Sequence, residues 1–178
     1  YILILITHLD DNTLLQVIKN QHNLDPKYLD NMCMGMNNIM TSFTNARLTF
    51  DYIINNVSCD TFIHLYKMTG TYKPGAFTSI LEKHISKHFE MIRSDNKYLD
   101  KFMSIQIVSQ NVYKSLLESC DNERQSQIIK RIIQTGRKDP IIMLLEYFQL
   151  QPTRILLLHC LKFIQHDGEK NKLITIFC

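Results

Sequence analysis

Only five glycines and four prolines interrupt 178 residues, of which 45% are apolar. A sandwich or barrel of strands needs a turn about every 8 to 12 residues, built largely on those two residue types, so their scarcity points away from an all-β fold. Three of the glycines recur with a spacing. Gly70, Gly136 and Gly168 lie 66 and then 32 residues apart, and Thr69-Gly70-Thr71-Tyr72-Lys73-Pro74 returns as Thr135-Gly136-Arg137-Lys138-Asp139-Pro140, with Asp167-Gly168-Glu169-Lys170 as a looser third copy. A period of about 32 to 34 residues is the length of one helical hairpin in a repeat array, with the glycine at the turn between its two helices.

The flanks of the last two glycines agree as well. Ile128, Ile129, Ile132 and Ile133 precede Gly136 as Leu157, Leu158, Leu161 and Ile164 precede Gly168, and apolar clusters follow each turn. The chain is therefore expected to be all-α: stacked helical hairpins in a divergent α-solenoid or right-handed superhelix. With no low-complexity stretch and no linker, residues 1–178 are expected to form one helical domain.

Several helix boundaries are legible. Asp10, Asp11, Asn12 and Thr13 supply capping side chains and negative charge ahead of Leu14, Leu15, Val17 and Ile18. Pro26 predicts a second start, with Tyr28, Leu29, Met32, Met36, Ile39 and Met40 on its apolar side. Leu48, Phe50, Tyr52, Ile53 and Ile54 have the composition of a strand but helical surroundings, and are read as helix. A helix opening at Cys59 or Asp60 is expected to end at Gly70, and Pro74 to begin the next. A shorter helix follows residues 94–96, another runs from about Ile105 to Cys120, and two C-terminal hairpins complete the chain.

The net charge of +3 conceals an asymmetry. Residues 1–60 hold Lys19, Lys27 and Arg47 against Asp10, Asp11, Asp25, Asp30, Asp51 and Asp60, a balance of −3, and the remainder holds +6. Such a division is compatible with a basic binding face or with an ordinary solvated surface. Five scattered cysteines without a C-x-x-C pair argue against a disulfide framework and for a reducing, intracellular setting, cytoplasmic or nuclear. No apolar run approaches the roughly 18 residues that cross a bilayer, so no membrane partner is expected. The apolar ends at residues 2–6 and 173–177 read as cut edges of a longer protein and as candidate docking edges for homo- or hetero-oligomers.

Tyr66-Lys67-Met68-Thr69-Gly70-Thr71-Tyr72, with Ala76 nearby, resembles the first-helix aromatic, turn glycine and following tyrosine of tetratricopeptide and pentatricopeptide repeats. Residues 128–152 resemble the same pattern, with Thr135-Gly136 at the turn, residues 143–148 in the second helix and Pro152 after its end. Pro74 and Pro140 depart from it, as do Ile141 and Ile142 where a small residue is usual. Residues 59–99, with His84-Ile85-Ser86-Lys87-His88-Phe89 and Lys97-Tyr98-Leu99, are also similar to the helical BACK segment that follows BTB domains. Both resemblances imply hairpins that scaffold other proteins.

Chemistry-bearing motifs are sparse. His84 and His88 have the i, i+4 spacing of a zinc pair, but Lys83 and Lys87 crowd them and no glutamate follows the first histidine, so two surface histidines are expected. His159 and Cys160 are adjacent and would point about 100° apart on a helix. No nucleophile elbow, phosphate loop or carboxylate pair is present. The expected function is a non-enzymatic protein–protein interaction module that needs no cofactor or metal, with Arg124, Arg137 and Arg154 as polar contacts. The alternative is a single-stranded RNA reader, with phosphates held by Lys83, Lys87, Arg93, Lys97, Lys101, Lys130, Arg131, Arg137 and Lys138 and bases stacked on Tyr72, Tyr98 and Phe102.

Overall fold

The computed structural model describes residues 5–6, 8–35, 43–72, 77–106, 108–147, 158, 161–162, 168, 170 and 174, with backbone alone at 44, 69–72 and 138. All regular structure among them is helical, as the turn-poor composition requires. The chain divides into two compact units, residues 1–107 and 108–178.

In the first unit, α1 (Asp11–Leu24) begins where the acidic run predicts. The Asp10 carboxylate accepts the Thr13 backbone N–H at 3.1 Å and the Thr13 hydroxyl at 2.6 Å. These bonds satisfy one of the orphan donors of the first turn. The next helix, α2 (Tyr28–Met34), starts later than Pro26, because Asp25 folds back to accept the Lys27 N–H at 2.9 Å and its carbonyl takes the Tyr28 N–H. A 3-10 turn (Phe43–Asn45) leads into α3 (Arg47–Asn56), which buries Thr49, Phe50, Ile53 and Ile54 on one side. That i, i+1, i+4, i+5 pattern is a helical face, so tertiary burial overrides the strand-like composition.

Helix α4 (Cys59–Tyr72) follows, then α5 (Thr78–His84), a 3-10 turn (Ile85–His88), α6 (Phe89–Ser94) and α7 (Asn96–Met103), the last capped by Asp95 through the Lys97 N–H at 2.8 Å. Helices separated in sequence pack together: α1 on α3, α3 on α5, and α2 on α4. Helix α4 then packs on α5 and α7. Phe43, Phe50, Phe62, Tyr66 and Phe102 are fully buried, and withdrawing each such side chain from water contributes about 1.5–3 kcal/mol.

Aspartates reach across these pairs. Asp11 of α1 accepts the Leu48 N–H at 2.8 Å, the Thr49 N–H at 2.9 Å and the Thr49 hydroxyl at 2.7 Å, so it caps α3 from outside. Asp30 of α2 accepts the Ser58 N–H at 2.9 Å at the entrance to α4. Further along the first pair, the Tyr52 hydroxyl meets His22 Nδ1 at 2.8 Å. Asp11 at the start of α1 thus meets Thr49 near the start of α3, and His22 near the end of α1 meets Tyr52 in the middle of α3.

The second unit is simpler. Helices α8 (Gln110–Glu118), α9 (Asn122–Gln134) and α10 (Lys138–Tyr147) pack pairwise around Val112, Leu116, Leu117, Ile128, Ile132, Met143 and Leu144. Helix α8 starts at Gln110 rather than near Ile105, which instead ends the first unit with its N–H on the Phe102 carbonyl. Asp121 caps α9 through the Arg124 N–H at 2.8 Å. Gly136, at φ 66°, reverses the chain into α10. An L-residue with a side chain pays about 1–2 kcal/mol in that left-handed conformation, and glycine does not.

The other two glycines behave differently from expectation. Helix α4 continues to Tyr72, so Gly70 lies inside it, and Gly168 is itself helical. Glycine permits a reversal without imposing one, and of these three only Gly136 uses the permission. The helix start expected at Pro74 lies outside the described residues.

Candidate functional site

Two polar clusters and one cleft organise the first unit. At the α3–α5 seam, the Asp51 carboxylate accepts Lys83 Nζ at 2.9 Å and His84 Nε2 at 3.0 Å. A carboxylate only accepts, so the His84 proton belongs on Nε2. Burial alone would raise Asp51, but the bonds from His84 and Lys83 outweigh it and hold the carboxyl below its usual value. One turn on, Lys87 donates to the Asn55 side chain. The pairs 51 with 83 and 55 with 87 advance together, so the chain from the end of α5 through the 3-10 turn runs in the same direction as α3.

His84 and His88 are not surface residues: they are 7% and 9% exposed. Residues at i, i+4 would share a face on an α-helix, but Ile85–His88 is a 3-10 turn, and His84 meets Asp51 of α3 while His88 meets Phe62 of α4. His88 lies against the Phe62 ring, centroids 4.3 Å apart and planes inclined by 31°. Burial first, then the positive charge of Lys87, pushes it down to about 4, so it is neutral near pH 7. Among the described residues, no three His, Cys, Asp or Glu side chains gather to hold a metal ion.

The second cluster joins α4 to α7. Asp60 accepts from Lys101 and, at 3.2 Å, from the Tyr98 hydroxyl. The Lys101 bond holds Asp60 below the usual carboxylate value and raises Lys101, while the Asp60 charge raises Tyr98. Lys97 and Lys101 also stand 6.0 and 5.7 Å from the centre of the Tyr98 ring. Each of the six aspartates in residues 1–60 thus accepts a hydrogen bond inside this unit. The charge asymmetry of the sequence is in good part an acceptor set for helices that come later.

Beside Asp60 opens a cleft of about 460 Å³, lined from α2, α4 and α7. Ile63 forms a buried part of its wall, and Met34, 55% exposed, stands at its rim. Asp60, His64 and Lys67 line it from one face of α4, at i, i+4 and i+7. His64 is half-buried and Lys67 exposed, and among the described residues neither has a hydrogen-bond or ion-pair partner. Nothing local in the sequence marks that spacing as a site; its meaning depended on α2 and α7 arriving opposite it.

The thiols offer little chemistry. Burial, followed by the Asp30 charge, pushes Cys33 up to about 12, and burial with the Asp60 charge pushes Cys59 up to about 11. Both stay protonated and poorly nucleophilic near pH 7.

The residues singled out from sequence are dispersed. Lys83 and Lys87 share the α3–α5 seam, where both are engaged. In the second unit, Arg124 Nη1 donates to Gln127 Oε1 at 2.7 Å on its own helix, and Arg137 Nη1 meets the Tyr113 hydroxyl at 3.5 Å. Tyr72 ends α4 and its side chain, like Arg154, His159 and Cys160, is outside the described residues. Of the expected docking edges, Ile6 is buried and Ile174 is 38% exposed. No helix among the described residues is long and apolar enough to cross a membrane.

No protein-family model, curated protein or solved structure shows significant similarity to this chain.

Proposed function

We propose that this chain is a non-enzymatic protein-interaction module built from divergent stacked helical hairpins, and that its first unit receives a protein partner in the α2–α4–α7 cleft. The observation that carries the reading is the cleft itself: His64 and Lys67, polar side chains with no partner among the described residues, beside an exposed methionine. Adaptable sulfur-bearing side chains next to unanswered donors suit a macromolecular contact.

The hairpin-array reading is supported by the ties between helices. Asp11 to Thr49, Asp30 to Ser58, Asp51 to Lys83 and Asp60 to Lys101 span 38, 28, 32 and 41 residues, values scattered around the length of one hairpin repeat. Packing of α1 on α3, of α3 on α5 and of α2 on α4 is what successive hairpins produce. The free, protonated thiols of Cys33 and Cys59 suit a reducing intracellular compartment.

Lys83 and Lys101, which an RNA reader would need, already pair with Asp51 and Asp60, and Arg93 pairs with Glu90. A protein partner is therefore the stronger reading. A photo-crosslinking residue at position 67 should capture a discrete protein partner, whereas the same residue at exposed Asn20 on α1 should not. Equal capture at both positions, or none at 67, would reject the cleft as the docking face.

A further inference from the structure

We infer that the α2–α4–α7 cleft recognises a single carboxylate side chain, carried beside an apolar residue on an acidic peptide segment of the partner; this rests on the protein-docking reading above. The cleft contains two carboxylates of its own, and both are answered from within. Asp30 Oδ1 accepts the Ser58 N–H at 2.9 Å. The two oxygens of Asp60 accept from Lys101 and Tyr98.

What remains is a set of donors. The Lys67 ammonium carries three N–H groups with no partner among the described residues, and Lys101 retains donors beyond the one given to Asp60. His64 stands between them on α4, one turn from Lys67 and one from Asp60. A carboxylate entering here would gain charge-assisted hydrogen bonds, which are roughly twice as strong as neutral ones. Ile63 and Met34 offer the adjoining apolar contact.

The same geometry disfavours a polyanion. Lys67 and Lys101 are balanced by Asp30 and Asp60, so one added negative charge finds donors, while a chain of phosphates meets two fixed carboxylates. Among the described residues the lining contains no arginine to grip phosphate in a bidentate way. The Ser58 N–H ahead of α4, a natural anion donor, is already taken by Asp30.

The test uses the full chain and three fluorescein-labelled probes: an alanine-based hexapeptide amide carrying one Glu-Leu pair (the glutamate peptide), the same peptide with Gln-Leu (the glutamine peptide) and a ten-nucleotide oligouridylate. Anisotropy titrations should show the glutamate peptide binding at least about 10-fold more tightly than either other probe. Lys67→Glu should remove about 10-fold of that affinity, and Lys67→Arg should keep it within about 3-fold. Because Lys67 is exposed, both variants are expected to fold, and circular dichroism confirms it. A second readout is the His64 ring resonance, which should move on addition of the glutamate peptide and not the glutamine one. Equal affinity for the two peptides, binding of neither, tighter binding of the oligouridylate, or an unchanged Lys67→Glu variant each overturns the inference. If position 67 crosslinks a partner while the peptides bind alike, docking stands and carboxylate recognition falls; if position 67 captures nothing, the docking reading itself falls.

Discussion

The two units solve the problem of joining helices by different means. In the first, Asp11, Asp30, Asp51 and Asp60 carry hydrogen bonds to groups 28 to 41 residues away, so helix order is written in side-chain chemistry. In the second, Asp121 caps its own helix, Lys114 meets Glu118 on its own helix, and the reversal between α9 and α10 is made by backbone conformation at Gly136. Long-range ties make the first unit sensitive to the protonation and identity of particular side chains. The second has longer ties as well, from Arg137 to the Tyr113 hydroxyl and from Gln110 to the Asp139 carbonyl, but these use neutral acceptors, so it depends more on apolar packing and one φ angle than on carboxylates.

The largest effect is expected where polar and apolar joints coincide. Phe62 is fully buried against Tyr66 and His88, so Phe62→Ala should cost about 3–5 kcal/mol in urea unfolding of the first unit. A loss below about 1 kcal/mol would mean that this ring is not part of the joint.

Acid should separate the two units next. His88 has a folded-state value near 4, below its ordinary 6.5, so the unfolded chain binds a proton before the native one does and stability falls as pH drops from 6.5 towards 4. The full loss is about 3 kcal/mol. Asp51 and Asp60, whose values are lowered, contribute stability that is present above the ordinary carboxylate value of 3.8 and disappears as pH falls through their lower folded-state values. Amide exchange between pH 7 and 4 should therefore show the first unit loosening ahead of the second, and His88→Phe should flatten the upper part of that slope. Parallel loosening of both units would erase the contrast.

The glycines sharpen it from the other side. Gly136→Ala should destabilise the second unit by about 1–2 kcal/mol, since alanine resists a φ of 66°. Gly168→Ala should instead stabilise by about 0.5–1 kcal/mol, because Gly168 is helical and an added Cβ meets nothing within 4 Å. Thermal melts of the two variants should move in opposite directions. The smallest effect belongs to Lys83→Met, whose side chain is 63% exposed, at below about 1 kcal/mol.

How much of this could be read in advance follows from how local each cause is. Asp10 at the start of α1, the helical α3 and the α9–Gly136–α10 hairpin were legible because capping, apolar periodicity and turn chemistry act within a few residues. The burial of His84 and His88 was not, since spacing says nothing about what will cover a side chain. The three glycines looked alike in sequence, yet only one adopts a turn conformation. For the cleft, the i, i+4, i+7 spacing of Asp60, His64 and Lys67 went unremarked in the sequence, since nothing local marks it as a site, and the closure of Asp30 and Asp60 by Ser58, Lys101 and Tyr98 exists only after distant helices meet.

A double-mutant cycle on Asp11 and Thr49 tests most directly whether aspartates join helices one hairpin apart. Asp11→Ala, Thr49→Val and the double variant would be compared by urea unfolding at pH 7 and low salt, with the 2.7 Å hydroxyl–carboxylate bond as the interaction removed. A coupling energy of at least about 1 kcal/mol is expected, since hydrogen bonds to charged groups contribute about 1.5–3 kcal/mol. Additive losses, agreeing within about 0.3 kcal/mol, would contradict the account and show that the Asp11–Thr49 bond does not join α1 to α3.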